Sequence, residues 1–494
     1  TAYGEEDDDT FSVYQISSDD AWTMDGGDGT DTLSLNQGGS VTLDFTFSVT
    51  TSVEILNANS RGFTISAGFL DDFDTLQNIN SISHNVIGGT SDLTGKIGSE
   101  TGTFFGAVTA VDDITIGAGS TGNWTVYGYG GNDILTGGDG NDILSGGDDD
   151  DILNGGAGDD YLVGGTGDNT LNGGADNDEI RLIGAHGVQT VFANGDEGDD
   201  LFTIQQIFQD DIWHIDGGTG TDTVKLVQGS TYASLDFLNA TITDVEILDA
   251  NGFDVYAPLN IFAAFDSIIN VDTLYLDIVG GTIDFTGKFG AGSGTIQAWD
   301  DPDIITVGDD ATGDWIIFGA GGDDEISGGS GEDTLRGEDG DDTLDGGDGA
   351  DIYYGGSGTD TFIVLSGQAD GDLIMDFSEG EILSTDYASF RGMNAFTQTA
   401  GELRYDHIGG DTVFEADLDG DGLGDESFTL IGEFDFYGAP GRIGQFPPIR
   451  DFDLSGTSDL LFQLPSQGNF FRLDSPDENA LASNEGRPNS VSFG

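Results

Sequence analysis

The sequence has no cysteine, so no disulfide braces it. Basic residues are scarce: 12 Lys and Arg stand against 92 Asp and Glu, a formal net charge of -80. A field of that sign repels nucleic acid and anionic membrane surfaces and excludes both as general partners. Self-repulsion also opposes compaction, so an open chain is expected until cations neutralise it. No apolar run reaches the roughly 18 residues of a membrane-spanning helix. The opening TAYGEEDDDTF has neither Met nor a basic and apolar leader, and a processed or trimmed product is expected. His84, His186, His214 and His407 stand apart, none of them in an HExxH pair that would hold a catalytic zinc. A GxSxG nucleophile elbow is missing too; AGSTG at 118–122 comes nearest. Carboxylate pairs are too abundant to exclude glycosidase chemistry by counting. A lyase or epimerase site would need a cluster of Lys, Arg and His that this chain is poor in. A non-enzymatic protein is expected.

What the chain has in abundance is glycine, 82 residues of it, much of it in a period of nine. Residues 128–181 read GYGGNDILT, GGDGNDILS, GGDDDDILN, GGAGDDYLV, GGTGDNTLN and GGADNDEIR in direct succession. That period is too short for a helical hairpin and too regular for a loop. It fits half a coil of a parallel β-roll, a glycine turn followed by a short strand. The sixth places, Asp133, Asp142, Asp151, Asp160 and Asp178, then lie along an edge, with Asn169 replacing Asp once. The eighth places, Leu135, Leu144, Leu153, Leu162, Leu171 and Ile180, point inward. Stacked carboxylates repel, and one short apolar row buries little. Carboxylates with turn carbonyls are, however, the hard oxygen donors that Ca²⁺ takes.

A second block at 319–363 reads GAGGDDEIS, GGSGEDTLR, GEDGDDTLD, GGDGADIYY and GGSGTDTFI, with Asp324, Asp333, Asp342, Asp351 and Asp360 in the sixth place. Isolated matches at 26–34, 195–203 and 217–225 add Asp31, Asp200 and Asp222, and 4–12 is a degenerate one around Asp9. These residues resemble the repeats-in-toxin (RTX) family. The resemblance implies a calcium-loaded β-roll and export from a Gram-negative cell by a type I channel using an uncleaved C-terminal signal. The amphipathic helical region that pore-forming members need is missing.

Between the matches, short β-branched and aromatic stretches recur, as at 41–45, 53–56, 63–65 and 114–116. Further solenoid coils with larger, metal-free cores are expected there, with an inserted β-sandwich as the competing structure. A longer repeat overlies the short one. DDAWTMDGG at 19–27 returns as DDIWHIDGG at 210–218, and LTGK at 93–96 returns as FTGK at 285–288. Two copies of a unit of about 190 residues follow. Trp22 pairs with Trp213 and Trp124 with Trp315, so these read as packing plugs. Trp299 has no counterpart and is the candidate for surface recognition.

Past the second block the chain looks like the C-terminal cap of serralysin-type RTX proteins. It carries DxDxDG at Asp417, Asp419, Asp421 and Gly422, the spacing of an EF-hand-type calcium loop, with Asp425 as a further oxygen. Phe428 stands where the closing Glu would be. Six of the 8 prolines fall in 437–494, where Asp451, Asp453, Ser455 and Asp459 resemble the metal loop of an FG-GAP repeat.

The expected fold is all-β, a parallel β-roll or solenoid of two tandem units with a C-terminal β cap. Its segments are a first solenoid at 1–122, a calcium block at 123–203, a second solenoid at 204–313, and a second block at 314–366. A cap at 367–436 and a proline-containing docking or secretion segment at 437–494 complete it. The expected function is structural: a secreted, Ca²⁺-dependent component of a surface layer, filament or adhesin. Self-association, head to tail or in a lattice, is expected because the first coil lacks an obvious cap; a cell-surface polysaccharide is a further partner. The alternatives are the non-catalytic part of a larger secreted hydrolase or lyase, and a carbohydrate-binding adhesin.

Overall fold

The computed structural model describes residues 2–14, 23–36, 43–44, 49–66, 69–84, 88–183, 188–206, 211–227, 234–276, 280–439, 442–445, 461–463 and 470–472. Nearly all of its elements are short β-strands. One compact unit comprises Thr1–Ile278 with Gly287–Ile296, and the other comprises Val279–Thr286 with Gln297–Gly494.

Within the first unit successive strands alternate between two parallel sheets. One sheet has fourteen strands and includes Gly102–Phe105, Trp124–Gly130, Ile143–Asp148, Tyr161–Thr166 and Glu179–Ile183. The other has eight, among them Asp112–Thr115, Ile134–Thr136, Ile152–Ala157 and Asn169–Ala175. Leu144 pairs with Leu162, and Leu135 with Leu153, so one coil consumes two nonapeptides. The period-two strand pattern sends each eighth-position side chain inward. Leu135, Leu144, Leu153, Leu162, Leu171 and Ile180 are all buried. Removing each from water contributes roughly 1.5–3 kcal/mol.

The described segments flanking the first block are further parallel coils, not sandwiches. Gly102–Phe105 pairs in parallel with both Thr75–His84 and Trp124–Gly130. Their coils are longer: Ile82 pairs with Phe104, and Phe104 with Val126. The wider cross-section is filled by aromatics, with Phe63, Phe104, Trp124, Phe202 and Trp213 fully enclosed. Trp124 also donates its indole N–H to the Glu100 carbonyl at 2.8 Å. Packing is thus what Trp124, Trp213 and Trp315 do. Trp22 lies outside the described residues.

Among the described residues helix is confined to a turn at Phe69–Asp72 and the six-residue Leu259–Ala264, which take the same place in the two copies. In this region each copy also spends one of the chain's three lysines on a backbone carbonyl. Lys96 donates to Leu70 O at 2.9 Å, and Lys288 donates to Phe265 O.

The second unit repeats the alternation, with Glu325–Gly329, Thr343–Gly347 and Thr361–Val364 in one sheet and Trp315–Gly321, Thr334–Asp339 and Ile352–Ser357 in the other. In one sheet the parallel order continues from Thr361–Val364 to Ile382–Thr385, with which Arg442–Gln445 then pairs antiparallel. In the other, Glu426–Leu430 pairs with Leu373–Ile374 and then continues as an antiparallel meander with Asp411–Asp417 and Glu402–Ile408. Leu403, Tyr405, Phe414, Phe428 and Phe436 pack beneath it, giving the sheet a closed end.

Candidate metal centre

Each glycine turn places its sixth-position carboxylate beneath its own corner. At the corner 146–151, Gly146 has no room for a side chain, since a Cβ would stand 2.2 Å from Asp151 Oδ2. Gly147 adopts φ +121°, and a Cβ there would lie 2.0 Å from Tyr129 O of the preceding coil. Glycine therefore lets the backbone wrap closely around the carboxylate while carbonyls of neighbouring coils crowd in.

The carboxylates form rows along the coils. The Asp133 N–H donates to Asp151 Oδ1 at 2.8 Å, and the Asp151 N–H donates to Asn169 Oδ1 at 2.9 Å. A second row runs through Asp142, Asp160, Asp178, Asp200 and Asp222, with links of 2.6–2.8 Å. In the second unit Asp324, Asp342 and Asp360 form one row, and Asp333 and Asp351 another. Near the start, Asp9 donates to Asp31 Oδ1 at 2.7 Å.

Only one oxygen of each carboxylate is used this way. The Oδ2 atoms of Asp31, Asp133, Asp151, Asp160, Asp178, Asp200, Asp222, Asp324, Asp333, Asp342, Asp351 and Asp360 are buried and have no hydrogen-bond partner. The exceptions are Asp142, whose Oδ2 accepts the Gly138 N–H at 2.7 Å, and Asp9 of the degenerate match, whose Oδ2 accepts the Glu5 N–H at 3.0 Å. An unpaired buried carboxylate oxygen is costly, and twelve in regular rows require a common partner.

Burial pushes Asp151 up to about 7 and Asp160 up to about 8, with neighbouring aspartates adding to the rise. Asp133, Asp200, Asp324 and Asp333 rise to about 6, and Asp178 and Asp342 to about 7, for the same leading reason. Left alone, Asp151, Asp160, Asp178 and Asp342 keep a share of their protons near neutrality; a cation with hard-oxygen preference displaces them. Carboxylate oxygen, turn carbonyl and a cradle without side chains are the donor set Ca²⁺ takes, and they fit it.

The rows extend beyond the nonapeptides to residues the motif does not mark. Asp112 donates its N–H to Asp133 Oδ1 at 2.7 Å, Asp303 donates to Asp324 Oδ1 at 2.8 Å, and Asp351 donates to Asp372 Oδ1 at 3.0 Å. Glu54 and Glu246 carry the rows on from Asp31 and Asp222. The signal was present: Asp112, Asp303 and Asp372 each stand two places before an inward isoleucine, as in the motif, but without its second-place and fourth-place glycines. His84, isolated in the sequence, meets Asp112 through Nδ1 and Ser91 Oγ through Nε2 at 2.9 Å. All three of these side chains are buried, so this Ser–His–Asp chain is closed to a substrate.

In the DxDxDG loop, carboxylate oxygens of Asp417, Asp419 and Asp425 come within 4.8 Å of one another. Asp417 accepts the N–H groups of Gly420 and Gly422, and Asp425 accepts those of Leu418 and Asp419. Asp421 is outside this group and caps the Leu423 N–H. Asp451, Asp453, Ser455 and Asp459 lie outside the described residues. Trp299 is half exposed, at 51%.

Among the described residues no helix is long and apolar enough to cross a membrane. A search of curated proteins gives no match. The family model for the RTX calcium-binding nonapeptide repeat matches in four copies, at 127–162, 154–181, 313–335 and 327–362. The two glycine-cornered blocks, with their rows of half-paired buried aspartates, are RTX calcium-binding nonapeptide repeats.

Proposed function

We propose that this is a secreted structural protein of the bacterial cell exterior, a component of a surface layer, filament or adhesin, for which calcium is the folding switch. The observation that carries the reading is the set of twelve buried Oδ2 atoms without partners. Proteins with RTX repeats are typically secreted by type I systems. At low free calcium a chain of charge -80 stays open and threads an export channel. Outside, each ion that binds only the folded form adds stability by mass action. Extracellular calcium modules bind at about 10⁻⁴ to 10⁻³ M, which suits a switch between compartments.

The role is non-enzymatic in this reading, since calcium accounts for most of the buried carboxylates and the one Ser–His–Asp chain is sealed. Far-UV circular dichroism tests the switch: excess EDTA removes most of the β signal, leaving only that of the lysine-braced coils, and millimolar Ca²⁺ restores it. A spectrum indifferent to EDTA contradicts it. Assembly is tested by sedimentation in millimolar Ca²⁺, where species larger than a monomer are expected and monomer alone counts against a lattice.

A further inference from the structure

Calcium rows must end somewhere, and three of the ends are chemically different from the middle. The row Asp112–Asp133–Asp151–Asn169 shows this at both termini. At its far end Asn169 Oδ1 is fixed by the Asp151 N–H at 2.9 Å, which assigns the other atom as the amide nitrogen. That Nδ2 stands where the aspartates present their unpaired Oδ2, and it donates to Gly165 O at 3.5 Å and Gly167 O at 3.3 Å. The amide hydrogens supply the positive charge that the turn carbonyls otherwise seek from a cation. At the near end, Asp112 has both oxygens engaged, Oδ1 by His84 and the Gly89 N–H, Oδ2 by the Ala107 N–H at 2.6 Å.

A terminal rung in the second unit uses a third group. Tyr353 stands where most nonapeptides have an aliphatic residue. Its hydroxyl donates to Asp372 Oδ2 at 3.2 Å and accepts the Gly346 N–H at 3.1 Å. The first copy's imidazole closure is not duplicated. By the alignment of LTGK with FTGK, His84 and Ser91 correspond to Leu276 and Ile283. There Asp303, the counterpart of Asp112, keeps an unpartnered Oδ2.

We propose that the chain closes the ends of its own carboxylate rows with an amide, an imidazole and a hydroxyl, at Asn169, Asp112 and Asp372, and that calcium is confined to the rungs between. The inference rests on calcium binding by the glycine corners. It makes Asn169 a stop signal whose reversal lengthens a row by one ion.

The test is the number of calcium ions bound per chain at saturation, by equilibrium dialysis and elemental analysis of the full chain. Asn169→Asp binds one ion more than the wild type. Asn169→Ala, which removes the amide without supplying a ligand, leaves the count unchanged and raises the calcium concentration needed for half-maximal folding. An unchanged count in Asn169→Asp with the wild-type β spectrum overturns the proposal, as does a count lowered by one in Asn169→Ala. A wild type that binds no calcium overturns both this inference and the calcium reading beneath it, so the two failures are distinguishable.

Discussion

The coil carrying LTGK at 93–96 and the corner 146–151 solve the same problem with opposite chemistry. Both bring backbone carbonyls of neighbouring coils close together in a chain of net charge -80. The first coil carries its own cation, Lys96, whose ammonium meets Leu70 O at 2.9 Å. The corner has no cationic side chain; it adds a buried carboxylate, Asp151, and leaves Oδ2 without a partner. Stability built into the sequence is constant, whereas stability borrowed from an ion follows the ion's concentration. On the proposed reading the solenoid is a composite: coils that are self-sufficient alternate with coils that fold on demand.

Substitutions at the two places should separate on that axis. The largest effect is expected from Gly147→Val, because a β-branched residue at φ +121° with a Cβ 2.0 Å from Tyr129 O cannot be accommodated. Loss of the cooperative calcium-induced folding transition is expected, and a normal transition would refute the packing argument. Next comes Leu153→Ala, fully buried in the inward row, which should cost about 2–5 kcal/mol in calcium-saturated denaturant unfolding.

Asp160→Asn sharpens the contrast because its sign depends on the ion. In calcium at about a hundredfold over the site's dissociation constant it should lose roughly 2.7 kcal/mol, one site's mass-action contribution. In EDTA the same change should stabilise whatever residual fold persists, since it removes a carboxylate that resists burial. Lys96→Met should instead destabilise by about 1.5–3 kcal/mol in either condition without altering the calcium count. A calcium-dependent effect at Lys96 would dissolve the distinction.

Protons should mimic the ion weakly. Asp133, Asp151 and Asp160 rise from 3.8 to about 6, 7 and 8 on burial. A raised carboxylate contributes stability that is full below its unfolded value and lost as pH rises through the folded one. The calcium-free chain should therefore gain β structure as pH falls from 8 to 5, while apparent calcium affinity drops over the same range. Circular dichroism against pH, with and without EDTA, reads both.

The repeated part of this architecture was legible because a nine-residue period fixes turn, strand and inward row together. Leu144 and Asp151 could be assigned without coordinates. Asp112 and Asp372 could not, because 107–111 has no glycine and 367–371 lacks the second-place and fourth-place glycines that mark a corner. Nor could His84, whose partners Ser91 and Asp112 lie in other strands and meet it only when coils of unequal length stack. The same limit applies to Lys96, where the LTGK duplication was visible but its target carbonyl was not. In the DxDxDG loop the spacing named four aspartates, yet the turn gathers three and sends Asp421 to cap the backbone.

The most direct test is an anomalous difference map from crystals grown in calcium. Peaks are expected at the corners beside Asp133, Asp151, Asp160 and their counterparts in the second block, with no peak beside Lys96. Intact coils whose glycine corners hold no ion would contradict the account.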